Sequence, residues 1–287
     1  MIRKFLTTFT FLVGVACWMQ AIEAARLPVT QARTANTQAR LAISQARTAT
    51  GGRGTVGFTD NLVFALPLEE TGTSTRRDRV SNVTMTNTGS VTQGTGIIGN
   101  CSVFASASSQ RLLSPTTITF MDYGRATAQA APAGSGETMM CWVNATTMPA
   151  ASCPMSRDSV GANRSVRLGL TSTKGQATYS TTGSDSIALT GTTVLTTGTW
   201  HHLATVLDTS IPLATLYVDG VAEATSSSVT TLWVNVGIPV RIGCRDVSSD
   251  LFNGSVDEAY IWTRALTAGE VLHAYNAGVG ITFPFRS

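Results

Sequence analysis

From Phe58 onward the chain repeats one pattern, and that pattern limits the fold more than any other feature. Runs of about 5 to 8 apolar or alternating residues are each broken by Gly, Asn, Asp or Ser. NLVFALPL, GNCSVFAS, ETMMCWVN, SVRLGLTST, QATYSTT, WHHLATVLD, ATLYVDGVAEAT, VRIGC and GSVDEAYIW follow one another in this way. Runs this short and this densely punctuated are strands rather than helices. They predict an all-β, antiparallel sandwich. LYVDGVAEA carries its own turn, with Asp219-Gly220 between two strand-like halves. ATAQAAPAGSG, within 126–136, reads as a mobile loop. One good helix is expected, near the C-terminus, in TAGEVLHAYNAG. Thr267 and Glu270 make a capping box, Val271, Leu272, Ala274 and Tyr275 share a face, and Gly278 is placed to end the helix.

The leading residues differ. Residues 1–24 read as a signal peptide: Arg3 and Lys4, the apolar stretch FLTTFTFLVGVACWM, then small residues before a cleavage site. A secreted, periplasmic or cell-surface location is therefore expected, with no membrane span after cleavage. Residues 25–57 form a linker, the domain is expected over 58–280, and 281–287 are a C-terminal tail. Inside the linker, TQARTAN, TQARLAI and SQARTAT repeat a seven-residue phrase. Alanines at 32, 35, 39, 42, 46 and 49 follow the 3-4 spacing of a coiled-coil seam. Ala buries little area, however, and Thr and Asn are poor helix interiors. Residues 30–50 are either a short self-associating stalk or a low-complexity spacer, and in both cases they present the domain.

Composition excludes some partners. Without residues 1–24 the chain keeps 18 basic and 16 acidic residues, a balance that does not advertise a nucleic-acid partner. Charged residues make up 13% of the chain, about half the usual share of about 25%. The basic residues are nearly all Arg, with Lys174 the one Lys after residue 24, a bias that a GC-rich genome accounts for. Beyond residue 24 lie Cys101, Cys141, Cys153 and Cys244. An even count in an exported chain favours disulfides. Three pairings are open. Cys141 and Cys153 mirror each other about a turn near Thr147, which favours Cys141–Cys153 and leaves Cys101–Cys244.

Several blocks resemble a known family. NLVFALPLEETGT, IIGNCSVFASASSQRLLS, ETMMCWVNATT, GTWHHLATVLD with ATLYVDGVAEAT, and RIGCRDVSSDLFNGSVDEAYIWTRALTAGEVLHAYNAG occur in the order found in LamG-like domains. The chain is thus similar to the laminin-G/pentraxin branch of the concanavalin A-like jelly rolls over about 58–278. The resemblance implies a jelly-roll β-sandwich and a binding module for glycans or another surface polymer. It also implies a calcium ion, with Asp78 and Asp257 at the positions of its ligands, although Arg76, Arg77 and Arg79 flank Asp78. A structural or adhesion protein with protein partners is the alternative.

Catalysis is not expected. Glucanases of this fold use carboxylates at alternate strand positions, and no E-x-D-x-E or E-x-D-x-x-E occurs. Asp257 and Glu258 are adjacent, so on a regular strand they point to opposite faces. His201 and His202 lie within a Trp-His-His strand and read as packed or edge histidines. Trp142, Trp200 and Trp262 recur inside strands and read as core. Trp233, in the less regular TTLWVNVG, is the candidate sugar-stacking residue. Asp246 and Asp250 read as ordinary loop acids.

Overall fold

A computed structural model describes residues 57–285 apart from 125, 126, 133, 160, 162 and 247. The signal peptide and the heptad segment lie outside the described residues. In chain order the strands are β1 (Leu62–Leu66), β2 (Arg76–Arg77), β3 (Thr84–Thr88), β4 (Thr92–Thr95), β5 (Asn100–Phe104) and β6 (Arg111–Leu113). Then come β7 (Gln129–Ala130), β8 (Gly136–Ala145), β9 (Ser152–Arg157), β10 (Val166–Thr171), β11 (Lys174–Tyr179) and β12 (Ile187–Thr190). The last are β13 (Trp200–Asp208), β14 (Leu213–Val218), β15 (Val221–Ser226), β16 (Trp233–Val234), β17 (Arg241–Ile242) and β18 (Gly254–Trp262), followed by helix α1 (Ala268–Tyr275).

These strands form the expected antiparallel sandwich. The first sheet runs β15-β14-β13-β8-β18-β5-β4, with β1 also paired to β18. The second runs β12-β11-β10-β9-β17-β6-β3-β2. Alternation turns one face of each strand inward. Phe64, Leu66, Phe104, Met139, Val143, Leu203, Leu207 and Leu216 from the first sheet meet Met85, Leu112, Met155, Leu168, Leu170, Tyr179 and Ile242 from the second. The Asp219-Gly220 turn closes β14 on β15 as read, with both residues at positive φ, the geometry of a two-residue hairpin.

α1 carries the full capping box between Thr267 and Glu270. It ends at Asn276, which takes the left-handed conformation two residues before Gly278. The segment read as a mobile loop contributes β7, which pairs with β16. Residues 281–285, set apart in the sequence as a tail, pack through Ile281, Phe283 and Phe285 on the first sheet. Among the described residues no helix is long and apolar enough to cross a membrane.

Two expectations need correction. The hairpin about Thr147 does not form: β8 belongs to the first sheet and β9 to the second, so residues 146–151 carry the chain between sheets. Their backbone is held by other loops, as where Thr146 N–H donates to Asn253 O at 2.9 Å and Pro149 O accepts from Ser172 at 3.1 Å. Cys141 and Cys153 are thus not cross-strand partners, and Cys101, Cys141, Cys153 and Cys244 are all free and buried. Burial pushes every one of these thiols up, Cys101 and Cys244 to about 11. The second correction is in β18. Its register against β8 slips between Asp257 and Tyr260, a β-bulge with Glu258 at φ 47°. Val256, Ala259 and Ile261 therefore face the interior, while Tyr260 and Trp262 face outward.

Candidate functional site

The outer face of the first sheet is sealed. Leu62, Ala65, Met140, Ala204, Val206, Tyr217, Tyr260 and Trp262 are buried there beneath Leu266, Val271 and Ala274, the last two from α1. Phe58 and Phe285 complete the cover, with ring centroids 5.2 Å from Trp262 to Phe58 and 5.1 Å from Tyr260 to Phe285. Trp142 stacks on Tyr275 of α1 at 5.7 Å. Over these central strands the apolar surface is covered, while Val221 on the edge strand β15 stays 62% exposed.

The outer face of the second sheet has the opposite chemistry. Because Leu112, Ile242, Met155, Leu168 and Ala177 point inward, their strand neighbours point out. The register places Leu113, Arg241, Ser156, Arg167, Thr178 and Ala188 in one row across six strands. Arg241 and Arg167 flank Ser156, two strand spacings or about 10 Å apart. Beyond β17 the chain folds back over this row, and Ser156 Oγ reaches the carbonyls of Cys244 at 3.0 Å and Arg245 at 3.3 Å.

A chain of polar contacts runs along this face. Arg167 Nη1 donates to Asp250 Oδ2 at 2.5 Å, and Arg245 Nη1 lies 3.6 Å from the same oxygen. Arg245 Nε donates to Asp158 Oδ2 at 2.8 Å, and Arg241 Nη1 donates to the Asp158 carbonyl at 2.6 Å. Asp158 Oδ1 accepts from Ser165 N–H at 2.9 Å, and Ser165 Oγ donates to the carbonyl of Trp233 at 2.5 Å. The aromatic singled out in the sequence thus ends a line of Arg and Asp residues. Its indole packs on Gly183, where φ is +85° and a Cβ would come within 2.5 Å of Nε1.

Sequence reasoning missed this line. Arg167, Arg241, Arg245, Asp158 and Asp250 are scattered over nearly a hundred positions, and only the sheet order brings them together. The available signal was the dominance of Arg over Lys, since a planar fork of donors suits paired carboxylate recognition.

The two aspartates carried over as calcium ligands accept backbone N–H groups. Asp78 accepts from Ala65 at 2.6 Å, Ser81 at 2.6 Å and Val80 at 3.2 Å. Asp257 accepts from Ile97 at 3.0 Å, Ile98 at 3.3 Å and Glu258 at 2.9 Å. Among the described residues no group of three or more His, Cys, Asp or Glu gathers as a metal-ligand set. The bulge does bring Asp257 and Glu258 into one neighbourhood, contrary to the opposite-face expectation. Burial raises both carboxyls far above the usual carboxylate range, and each is raised further by Glu69, Glu258 also by Asp257. Glu258 is bound by the Tyr260 hydroxyl, which accepts from Phe283 N–H at 3.0 Å. Asp257 anchors the turn at 97–98, and Glu258 anchors the cover through Tyr260.

The histidines are also committed. His201 Nδ1 lies 2.9 Å from Asp219 Oδ2 while its Nε2 accepts from Thr196 N–H at 3.2 Å. His202 is buried beside Trp142, and burial lowers it to about 4.

A polar cleft of about 340 Å³ opens at one rim, among Asn61, Tyr123, Ser135, Asp208, Thr263 and Arg264. Arg264 is taken by Glu270 at 2.6 Å and by the Asp60 carbonyl at 2.8 Å. The Tyr123 hydroxyl lies 3.0 Å from Gly136 O and 3.1 Å from Glu137 Oε2, and burial pushes Glu137 up to about 7. The groups of this cleft largely satisfy one another.

Comparison with known proteins agrees with this architecture. A family model described as the concanavalin A-like lectin/glucanases superfamily matches residues 121–272. No curated protein matches the chain. The binding domain of Paraclostridial mosquitocidal protein 1 superposes with a TM-score of 0.61 at 14% identity, over 77% of this chain and 53% of that one. The binding domain of botulinum neurotoxin DC, in complex with SialylT, gives 0.58 at 11% identity, over 77% and 52%. Domain 4 of an extracellular arabinanase from Geobacillus stearothermophilus, in complex with arabinotriose, gives 0.53 at 17% identity, over 74% and 97%. The chain therefore spans about half the length of the toxin domains and nearly all of the arabinanase domain. At these identities the likeness is one of fold.

Proposed function

The chain belongs to the concanavalin A-like lectin and glucanase superfamily, and from that premise we propose that it is an exported, non-catalytic binding module. It recognises a glycan or another surface polymer through the outer face of its second sheet. The carrying observation is the asymmetry of the two outer faces. One is sealed by aromatic residues, and the other presents Arg167, Asp250, Arg111 and Gln176 part-exposed around a polar line. Polar groups on a rigid sheet fix orientation at little entropic cost. The neighbours support the class: two are described as binding domains, and one is in complex with arabinotriose. The non-catalytic half of the reading is supported by His201, His202 and the Asp257–Glu258 pair, which are engaged in packing and internal hydrogen bonds.

The test is a glycan-array screen of the chain from residue 25, run with calcium and with a chelator. Binding to a defined glycan class, weakened by Arg167→Gln but not by Val194→Ser at an exposed position outside this line, is the expected result. A blank array in both conditions overturns the reading and turns attention to a protein partner.

A further inference from the structure

We infer that the ligand of this face is a saccharide bearing an anionic group, a carboxylate or a sulfate ester, received by Arg241 and Arg245; the inference rests on the reading of this face as a glycan-binding surface. Two guanidinium groups converge on Asp158, one on its carbonyl at 2.6 Å and one on its Oδ2 at 2.8 Å. Each retains an enclosed N–H without a partner, at Arg241 Nε and at Arg245 Nη2, and so does Arg111 at Nε on the adjoining strand β6. A guanidinium carries five donors and no acceptor. Leaving enclosed charged donors unpaired is costly, so these atoms mark a missing acceptor.

Charge decides what kind of acceptor. Arg111, Arg167, Lys174, Arg241 and Arg245 stand on this face against Asp158, Asp246 and Asp250. Two positive charges are in excess. A neutral hydroxyl would satisfy an N–H but leave that excess, whereas a carboxylate or sulfate oxygen does both. The chain already holds a copy of such a group. Asp250 Oδ2 lies between Arg167 and Arg245 at 2.5 and 3.6 Å, and its side chain and that of Arg167 are 18% and 15% exposed. Asp250 is thus a part-exposed member of the line and competes with an incoming anion for these two arginines.

The competition gives opposite signs to two substitutions, which separates recognition from mere structure. The chain from residue 25 is titrated calorimetrically with a uronic-acid oligosaccharide, a sulfated neutral oligosaccharide and its unsulfated parent. One or both anionic probes bind, affinity falls with added salt, and the parent binds at least roughly tenfold more weakly. Preference between the first two identifies carboxylate or sulfate as the source of the charge. Arg167→Gln weakens binding roughly tenfold, as expected for one lost charged hydrogen bond. Asp250→Asn strengthens it severalfold. Arg245→Gln weakens binding most, and Arg167→Gln, at a part-exposed position, carries the test if that variant does not fold. Equal affinity for charged and neutral probes overturns the inference and leaves the glycan-binding reading standing. Weaker binding by Asp250→Asn also overturns it. Binding of none of the three probes, with a blank array, removes both.

Discussion

The two outer faces of the sandwich are built from similar strands yet end in opposite states. On the first sheet, outward positions carry Tyr260, Trp262, Met140, Val206 and Tyr217, and α1 with residues 281–285 closes over them. On the second sheet, the corresponding positions carry Arg241, Ser156, Arg167 and Thr178, and the chain after β17 bridges them with polar contacts. The difference is a division of labour. Apolar outward residues are stable only where later chain exists to cover them, and the C-terminal residues supply one cover. The face without that cover is written in charged and hydroxyl side chains, of which Arg111, Arg167, Gln176 and Asp250 stay part-exposed.

The sharpest way to break this contrast is to open the sealed face. Trp262 is fully buried, packs against Phe58 and Phe285, and its indole N–H donates to the Phe58 carbonyl at 2.8 Å. Trp262→Ala is expected to cost about 3 to 5 kcal/mol in chemical denaturation. A loss below about 1 kcal/mol would mean that the cover is loosely attached and that the two faces are less different than the packing indicates.

The acids under that cover give the next effect, through pH. Asp257 and Glu258 are raised in the folded state, first by burial. The folded protein therefore holds protons that the unfolded chain releases. Their contribution is whole below the ordinary carboxylate pKa and is lost as pH rises from about 4 to about 9. Melting temperature should fall across that window by an amount corresponding to about a few kcal/mol, and Glu258→Gln should flatten the slope. An unchanged slope in that variant would place the proton elsewhere, with Glu137 the next group to test.

Much of this contrast was legible in the sequence and some of it was not. The strand pattern, the Asp219-Gly220 turn and the Thr267–Glu270 capping box are local signals, and each is read from a few adjacent residues. The partner of β8 is not local. A turn-like stretch with Met148-Pro149 looks the same whether the chain returns in one sheet or crosses to the other, and so the Cys141–Cys153 pairing failed. The opposite-face expectation for Asp257 and Glu258 failed because the alternation of β18 changes phase at Glu258, where a single left-handed residue brings two carboxyls together. The Arg and Asp line was invisible for a different reason. Asp246 and Asp250 look like loop acids until β17 is placed between β6 and β9.

The charged face should show the reverse balance of stability and function. Arg167 and Asp250 are part-exposed, so Arg167→Gln is expected to cost no more than about 1 kcal/mol. The same substitution is expected to weaken binding roughly tenfold. A variant that loses several kcal/mol would show that this pair holds the fold, in the manner of Trp262, and that the face is structural.

The smallest expected effect concerns what joins the sheets. Cys101 lies in β5 of the first sheet and Cys244 follows β17 of the second, and both are free. The faces are then held in place by core packing and by buried hydrogen bonds across it, between Tyr179 Oη and Thr205 Oγ1 at 2.8 Å and from Arg76 Nε to Ser102 Oγ at 3.0 Å. Adding a reductant to the chain from residue 25 should leave the melting temperature unchanged within about 1 °C, because removing a bridge of this span would cost about 2 to 5 kcal/mol and shift it by several degrees. A thiol reagent should find these buried thiols unreactive in the native protein and accessible in denaturant. A drop of several degrees on reduction would mean that a covalent tie between the sheets, rather than packing, keeps one face sealed while the other stays open.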